Sequence, residues 1–192
     1  MPWKEIGIML ALVVCFLAIQ KLGRRRGDDS RSARLMKKYK TLTPELLADT
    51  PDDELVEAVV AHVLAEAAES RKPDPLYTLS KKPQPYLVVY SIWAVCKELA
   101  RGDYPALTHT ATRDVVQDAC DGLPLIGAPA TAAALNDVIA LHKEGEDTAV
   151  AETAFHHAVE SECPLSLCVT YIRDHIAELM GEEPAEEPND GE

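Results

Sequence analysis

The sequence predicts an all-α protein, a compact bundle of about six helices behind a single N-terminal transmembrane helix. Three observations lead to this prediction. A stretch of twenty residues near the N-terminus is almost entirely apolar, apolar residues after it recur at helical spacing, and sustained strand-like alternation is missing. Hydrophobic residues make up 47% of the 192 residues, so the chain can bury a core and is not disordered throughout.

The predicted membrane anchor occupies residues 1–23, with residues 3–22 inside the bilayer. At about 1.5 Å rise per residue, twenty helical positions span roughly 30 Å, the thickness of a bilayer's hydrocarbon core. Trp3 suits the interface, and the basic residues Lys21 and Arg24–Arg26 follow the apolar run. A cleavable signal peptide would need bases before that run and a small-x-small site after it, which this chain lacks.

These flanks predict a single-pass cell-membrane protein with its N-terminus outside and its C-terminal domain in the cytoplasm. Residues 24–42 form a predicted basic juxtamembrane linker. Its plain role is to fix topology and to space the domain from the membrane, and attraction to anionic headgroups is the alternative. The cytoplasmic location further predicts free thiols at the remaining cysteines: Cys96, Cys120, Cys163 and Cys168.

The domain that follows, residues 43–180, begins with helix signals. Thr50, Pro51 and the three acids after it are typical of a helix start, and Leu55, Val59 and Val63 then share one face with His62. Four prolines mark residues 71–85 as a loop. A second long helix is predicted from the spacing of its apolar residues, with Gly102 at its end: Tyr86, Val89, Tyr90, Trp93 and Cys96.

Four more helices complete the predicted bundle. They cover 105–121, 129–143, 147–160 and 164–180, and single glycines at 122, 127 and 145 are predicted to lie at helix ends. Residues 181–192 are acidic, contain proline and lack apolar anchors, which predicts a disordered tail.

The charge of the chain is unevenly distributed along the sequence. The formal net charge is −13, but residues 1–40 carry +7 and residues 41–180 carry −14. An acidic body repels nucleic acids, so direct nucleic-acid binding is not expected. It attracts basic proteins, and the bland alternative is that the carboxylates only keep the domain soluble.

Metal or hydrolytic chemistry is the competing functional interpretation. It would use His156, His157, Cys163 and Cys168, since zinc takes Cys and His ligands. Zinc sites usually present two cysteines on a tight knuckle, whereas Pro164 and a helix start separate these two. Buried cysteine and histidine are also common in cores. We therefore predict no metal, no cofactor and no catalytic residue, since nucleophile, phosphate-loop and acid–base motifs are missing from the sequence.

Residues 76–141 carry a family likeness. The segment Tyr90-Ser91-Ile92-Trp93, the turn Ile126-Gly127-Ala128 and the helical segment Asn136–Leu141 that follows it resemble the DNA-mimic-like domain family of small, acidic, all-helical bacterial proteins. Members carry an Asn-Gly-Gly-aromatic turn where this chain has Ala100–Tyr104, so only two residues of that turn match. The residues similar to the family pattern are Tyr90, Trp93, Glu98, Gly102, Tyr104, Gly127 and Asn136.

The resemblance implies a helical domain, often a homodimer, whose carboxylates imitate DNA phosphates and occupy a DNA-binding protein. Together with the charge, it leads to one functional expectation. We expect a membrane-anchored, cytoplasm-facing acidic helical interaction domain without catalysis, which binds a basic protein partner and for which DNA mimicry is one version of that binding.

Overall fold

A computed structural model describes residues 30–101 and 113–181, and every regular element in these two ranges is a helix. The all-α prediction is confirmed. The helices are α1 (30–38), α2 (Pro44–Asp49), α3 (Asp52–Glu69), α4 (Pro75–Leu79), α5 (Gln84–Arg101), α6 (Arg113–Leu125), α7 (Pro129–Glu144), α8 (Ala149–Glu162), α9 (Pro164–Asp174) and α10 (Ile176–Leu179).

None of the helices in residues 30–101 and 113–181 combines the length and the apolar character that a membrane crossing requires. The predicted anchor, residues 3–22, lies outside the described residues, as do Gly102, Tyr104 and residues 182–192 of the predicted tail.

Helix α5 is the centre of the bundle, because α3, α6, α9 and α10 all pack against it. The residues of α5 that face the core are almost completely buried: Tyr86, Val88, Val89, Ile92, Val95, Cys96 and Leu99. The predicted face of α3 is buried as well, including His62. Periodicity therefore identified the inner face of α3, and on α5 it identified Tyr86, Val89 and Cys96, whereas the predicted inward residues Tyr90 and Trp93 are half-buried.

The predicted linker, residues 24–42, is not a plain spacer over its second half. Residues 30–38 form α1, and Leu35, Tyr39 and Leu42 are buried in the core. Leu35 lies within α1, whereas Tyr39 and Leu42 follow its end and pack into the same core. The dense basic residues around them led to the linker prediction, but those side chains lie on the outside of the same helix.

The sequence predicted Gly122 beyond the end of its helix, but Gly122 lies inside α6. A Cβ atom at this position would lie 3.3 Å from Val88 Cγ1 and 3.6 Å from Ile92 Cδ1 of α5. The glycine therefore allows a close approach of two helices rather than a turn. Gly145, by contrast, ends α7 in the left-handed conformation with φ +73°, as its sequence context predicts.

Two further helix assignments differ from the predictions. The proline-rich loop contains the short helix α4, which begins at the capping residue Asp74. The last predicted helix is broken into α9 and α10 at His175. There His175 adopts φ −117° and ψ 23°, outside the helical region, and its backbone N–H is shared between the carbonyls of Tyr171 and Ile172 at 3.1 and 3.2 Å, so it caps α9 instead of continuing it.

Candidate functional site, an unneutralised acidic surface

The acidity of the folded domain belongs to its second half. Residues 30–101, the paired half, contain eleven basic and ten acidic residues, a net charge of +1. Residues 113–181, the acidic half, contain three basic and twelve acidic residues, a net charge of −9. The first half of the described chain is therefore nearly neutral, and the second half is strongly negative.

In the paired half, carboxylates meet cations directly. Glu54 illustrates this, because Lys38 and then Tyr39 hydrogen-bond its carboxylate and lower its pKa. Four Lys or Arg ion pairs in this half have N···O distances of 2.6–2.7 Å: Arg31–Glu57, Lys38–Glu54, Lys40–Glu69 and Lys82–Glu66.

In the acidic half, α6 and α7 pack against each other and carry a set of carboxylates that we call the acidic surface. Its members are Asp114, Asp118, Asp121, Asp137, Glu144, Glu146 and Asp147. Six of the seven are exposed, and Asp118 is half-buried. Within residues 30–101 and 113–181, none of them forms an ion pair with a lysine or arginine.

Helical spacing concentrates these charges. Asp114, Asp118 and Asp121 form one stripe on α6, and Asp137 and Glu144, seven positions apart, share a face of α7. Burial, and then the charges of Asp114 and Asp121, raise the pKa of Asp118. The like charges of Asp114 and Asp121 thus add to the larger effect of burial.

Three large apolar side chains are exposed in the same half, and two of them, Val150 and Leu125, lie on or next to the elements that carry the acidic surface. Val150 is 84% exposed just after the loop that carries Glu146 and Asp147, and Leu125 is 54% exposed at the end of α6. An apolar residue beside carboxylates can be covered by a partner that brings both cations and an apolar contact.

The residues of the alternative metal site do not converge. His156 and Cys163 are exposed and border the same depression, but the imidazole of His156 lies 3.3 Å from the Glu160 carboxylate of its own helix. His157 also faces Glu160, at 3.7 Å. Cys168 is fully buried, and burial raises the pKa of its thiol to about 12. In the described part of the chain, no three His, Cys, Asp or Glu side chains come together as a metal site.

The four predicted free thiols are all free. Burial raises the pKa of Cys96 to about 12 and that of Cys120 to about 11. Like Cys168, these thiols stay protonated and unreactive at neutral pH.

The residues that resemble the DNA-mimic-like family fall into two places. Tyr90 and Trp93 are half-buried on α5 with ring centroids 5.9 Å apart, and Glu98 follows on the same helix, also half-buried. Gly127, with φ +86°, forms the turn between α6 and α7, and Asn136 of α7 donates a hydrogen bond to the carbonyl of Ala132 at 3.0 Å. These are packing, turn and helix-surface positions.

Trp93 also lines a depression of about 270 Å³ between α1, α3 and α5. Its walls are mainly apolar, and the exposed side chain of Leu165 from α9 closes one end. Arg31 and Glu57, at its rim, pair with each other. The ammonium of Lys97, which also lines the depression, lies 4.3 Å from the ring centroid of Trp93, so this depression offers shape and apolar surface with a cation beside it.

Two residues that organise the acidic half were missed by sequence reasoning. Helix α7 has no capping side chain of its own, and Glu162 at the end of α8 takes that role: it accepts hydrogen bonds from Ala130 N and from Thr131 N and Oγ1 at 2.7–3.0 Å. Arg173 of α9 donates to the carbonyls of Leu47, Ala48 and Thr50. Neither contact leaves a local signal, because each joins residues that are more than thirty positions apart.

Comparison with protein-family models, with curated proteins and with solved structures finds no match to this chain.

Proposed function

We propose that this protein is a membrane-anchored, cytoplasm-facing acidic helical domain that binds a basic protein partner and performs no catalysis. The observation that carries the proposal is the acidic surface: seven carboxylates on α6, α7 and the following loop without a lysine or arginine ion pair in the described part of the chain. In the paired half, by contrast, cations neutralise most of the negative charge.

This difference between the halves argues against the alternative that acidity only keeps the domain soluble. Solubility requires net charge but not its concentration in stripes, and interspersed charges of both signs serve it equally well. Clustered carboxylates raise the local potential and attract cations from a distance, which favours electrostatic steering of a basic partner.

DNA mimicry is the finer version of this proposal. It rests on the likeness in residues 76–141, a range that includes Asp114, Asp118, Asp121 and Asp137 of the acidic surface. A DNA-mimicking surface would compete with DNA for a phosphate-binding face of its partner, so added duplex DNA would displace that partner.

The test is affinity capture from native lysate with the full chain in mild detergent, followed by elution in a salt gradient. The informative variant neutralises three members of the acidic surface: Asp114→Asn, Asp137→Asn and Glu144→Gln. The matched control makes three equivalent changes at exposed positions of the paired half: Glu45→Gln, Asp49→Asn and Asp53→Asn.

We expect the partner to leave the first variant at clearly lower salt than it leaves the wild type and the control. Screening shortens the Debye length from about 8 Å at 0.15 M to about 3 Å at 1 M salt, so an electrostatic complex must dissociate along the gradient. Retention of the same proteins by both variants at the same salt would overturn the proposal. Displacement by duplex DNA would select the mimicry version, and failure of DNA to compete would remove that version alone.

A further inference from the structure

We infer that the outer face of α1 docks on anionic phospholipid headgroups and thereby holds the domain so that its acidic surface is free for a partner. The inference rests on the proposed membrane anchor. It concerns a surface that is separate from the acidic surface, because α1 belongs to the paired half.

Helix α1 divides its residues sharply between core and solvent. Leu35 and Tyr39 are buried with 4% and 0% exposure. The basic residues from 31 to 40 are all exposed, and they form what we call the basic face: Arg31, Arg34, Lys37, Lys38 and Lys40. The helix is therefore fixed to the domain by its apolar side, and its cations cannot turn inward.

Helix α3 neutralises only part of this face. Arg31, Lys38 and Lys40 pair with glutamates of α3. Arg34 and Lys37 form no ion pair in the described part of the chain, although the charge of Arg34 contributes to lowering the Glu54 pKa. Two exposed cations three positions apart on one helix are thus available to a negative surface.

A second group of cations adjoins the basic face. Lys40 contacts Glu69 near the end of α3, directly before the exposed residues Arg71 and Lys72. Lys81 is exposed in the same corner, where its ammonium lies 4.0 Å from the ring centroid of Tyr77. The positive surface thus extends beyond α1 along one side of the paired half.

Chain length limits how far this surface can be from a bilayer. Seven residues, 23–29, separate the predicted span from α1, and even a fully extended chain of that length reaches only about 25 Å. The stretch itself carries a net charge of +1, from Arg24–Arg26 against Asp28 and Asp29. A domain held so close, with −9 on its acidic half, has the lowest electrostatic energy when cations face an anionic surface.

The expected free energy of the electrostatic attraction supports reversible docking. Each basic residue near an anionic membrane contributes about 1 kcal/mol, which is roughly fivefold in occupancy. Arg34 and Lys37 together should therefore change the ratio of docked to undocked domains on the order of thirty-fold.

The experiment uses the full chain, with Cys15→Ala and Cys163→Ser, reconstituted in vesicles of phosphatidylcholine alone or mixed with phosphatidylglycerol. A fluorophore is attached through Ala33→Cys on the outer part of α1 or, as the control site, through Ala154→Cys on α8, both at exposed positions. Spin-labelled headgroups quench a fluorophore that lies at the lipid surface. Vesicle flotation reports in parallel whether the chain is anchored.

We expect strong quenching at position 33 in anionic vesicles, weak quenching in phosphatidylcholine, and weak quenching at position 154 in both. The charge-reversed variant Arg34→Glu/Lys37→Glu should lose the effect, and the charge-conserving variant Arg34→Lys/Lys37→Arg should keep it. The docking is overturned, with the anchor intact, if the chain floats with both vesicles but quenching at position 33 is the same in anionic and in phosphatidylcholine vesicles. Equal quenching at positions 33 and 154 has the same meaning. A chain that floats with neither removes the anchor and this inference with it.

Discussion

The two halves of the domain differ in how far cations balance their carboxylates. The paired half has ten acidic and eleven basic residues, a net charge of +1, and four of its glutamates form ion pairs with its own lysine or arginine residues. The acidic half has twelve acidic residues and only three basic ones, and it leaves the acidic surface without lysine or arginine partners in the described residues. Stability alone does not require this difference, because a helical bundle is held together chiefly by its buried apolar faces. The difference suggests that the two halves face different neighbours.

The largest expected effect comes from breaking the connection between the halves. Replacing Arg173 by methionine should lower the free energy of unfolding by about 3 kcal/mol, because charge-assisted hydrogen bonds to three carbonyls of α2 and its cap are lost together. Urea unfolding measures the change. Asp52→Asn is the control: it removes only the carboxylate that Arg173 also contacts, whose side chain is 75% exposed, and should cost less than about 1 kcal/mol. Equal losses in both variants would contradict the role given to the α2 carbonyls.

A second prediction tests how the acidic half uses one carboxylate for its own stability. Glu162→Ala should cost about 1–2 kcal/mol, since α7 then loses its only capping side chain. Burial acts to raise the pKa of Glu162, but the hydrogen bonds from Thr131 and Ala130 outweigh it and lower that pKa. The contribution is therefore fully present above the unfolded value of 4.5 and is lost as the pH falls through the lower folded value. Glu160→Gln, a neighbouring exposed change, should leave this acid limb in place, and a wild-type profile without the limb would refute the prediction.

The third prediction concerns a buried network in the paired half. Burial and then the charge of Lys82 lower the pKa of His62, whose ring lies between the Lys40 carbonyl, the Lys82 ammonium, the Glu66 carboxylate and the ring of Tyr86. The unfolded chain takes up the proton first, so stability is complete above pH 6.5 and decreases as the pH falls below it.

The slope should not exceed about 1.4 kcal/mol per pH unit for this one group. Thermal unfolding between pH 7 and the acid limb measures it. His62→Gln should remove the slope, whereas His157→Gln, at an exposed position, should retain it. An unchanged slope in His62→Gln would assign the pH dependence to other groups.

The smallest effect tests the repulsion within the acidic surface. Asp118→Asn should raise stability by about 0.5 kcal/mol at neutral pH, because it removes two like-charge contacts at helical spacing. Since the pKa of Asp118 is raised, the wild type should gain stability as the pH falls through that folded value. Asp137→Asn is the control, as no carboxylate lies three or four positions from it on α7. Salt should reduce the gain, and a loss of stability in Asp118→Asn would show that the carboxylate has a favourable partner.

Sequence reasoning worked best where a pattern repeats within one helix. The apolar periodicity identified the buried face of α3 and three buried residues of α5, and Gly145 identified a helix end. It worked less well where one residue type has two meanings. Gly122 looked like a terminator but lies where α6 approaches α5, and the many bases around Leu35 hid a core helix inside a segment predicted as linker.

The candidate site, too, was predicted from the sequence only in part. The sequence predicted a strongly acidic body and a basic N-terminal part, because net charge is additive and needs no coordinates. It did not show which carboxylates are neutralised. Glu54 and Asp118 look alike in sequence, yet the hydrogen bond from Lys38 lowers the pKa of Glu54, whereas burial and then the charge of Asp114 raise the pKa of Asp118.

By itself, then, the sequence determined that this protein is helical, where its long helices present their apolar faces, and where along the chain its charge is concentrated. These properties depend on neighbours within a few positions. Only the tertiary structure decided that α1 belongs to the core, that Glu162 caps α7 and Arg173 holds α2, and that the acidic surface lacks lysine and arginine partners in the described residues. The physical reason is range, because a hydrogen bond or an ion pair forms between groups within a few ångströms, and the fold alone brings such groups together from distant parts of the chain.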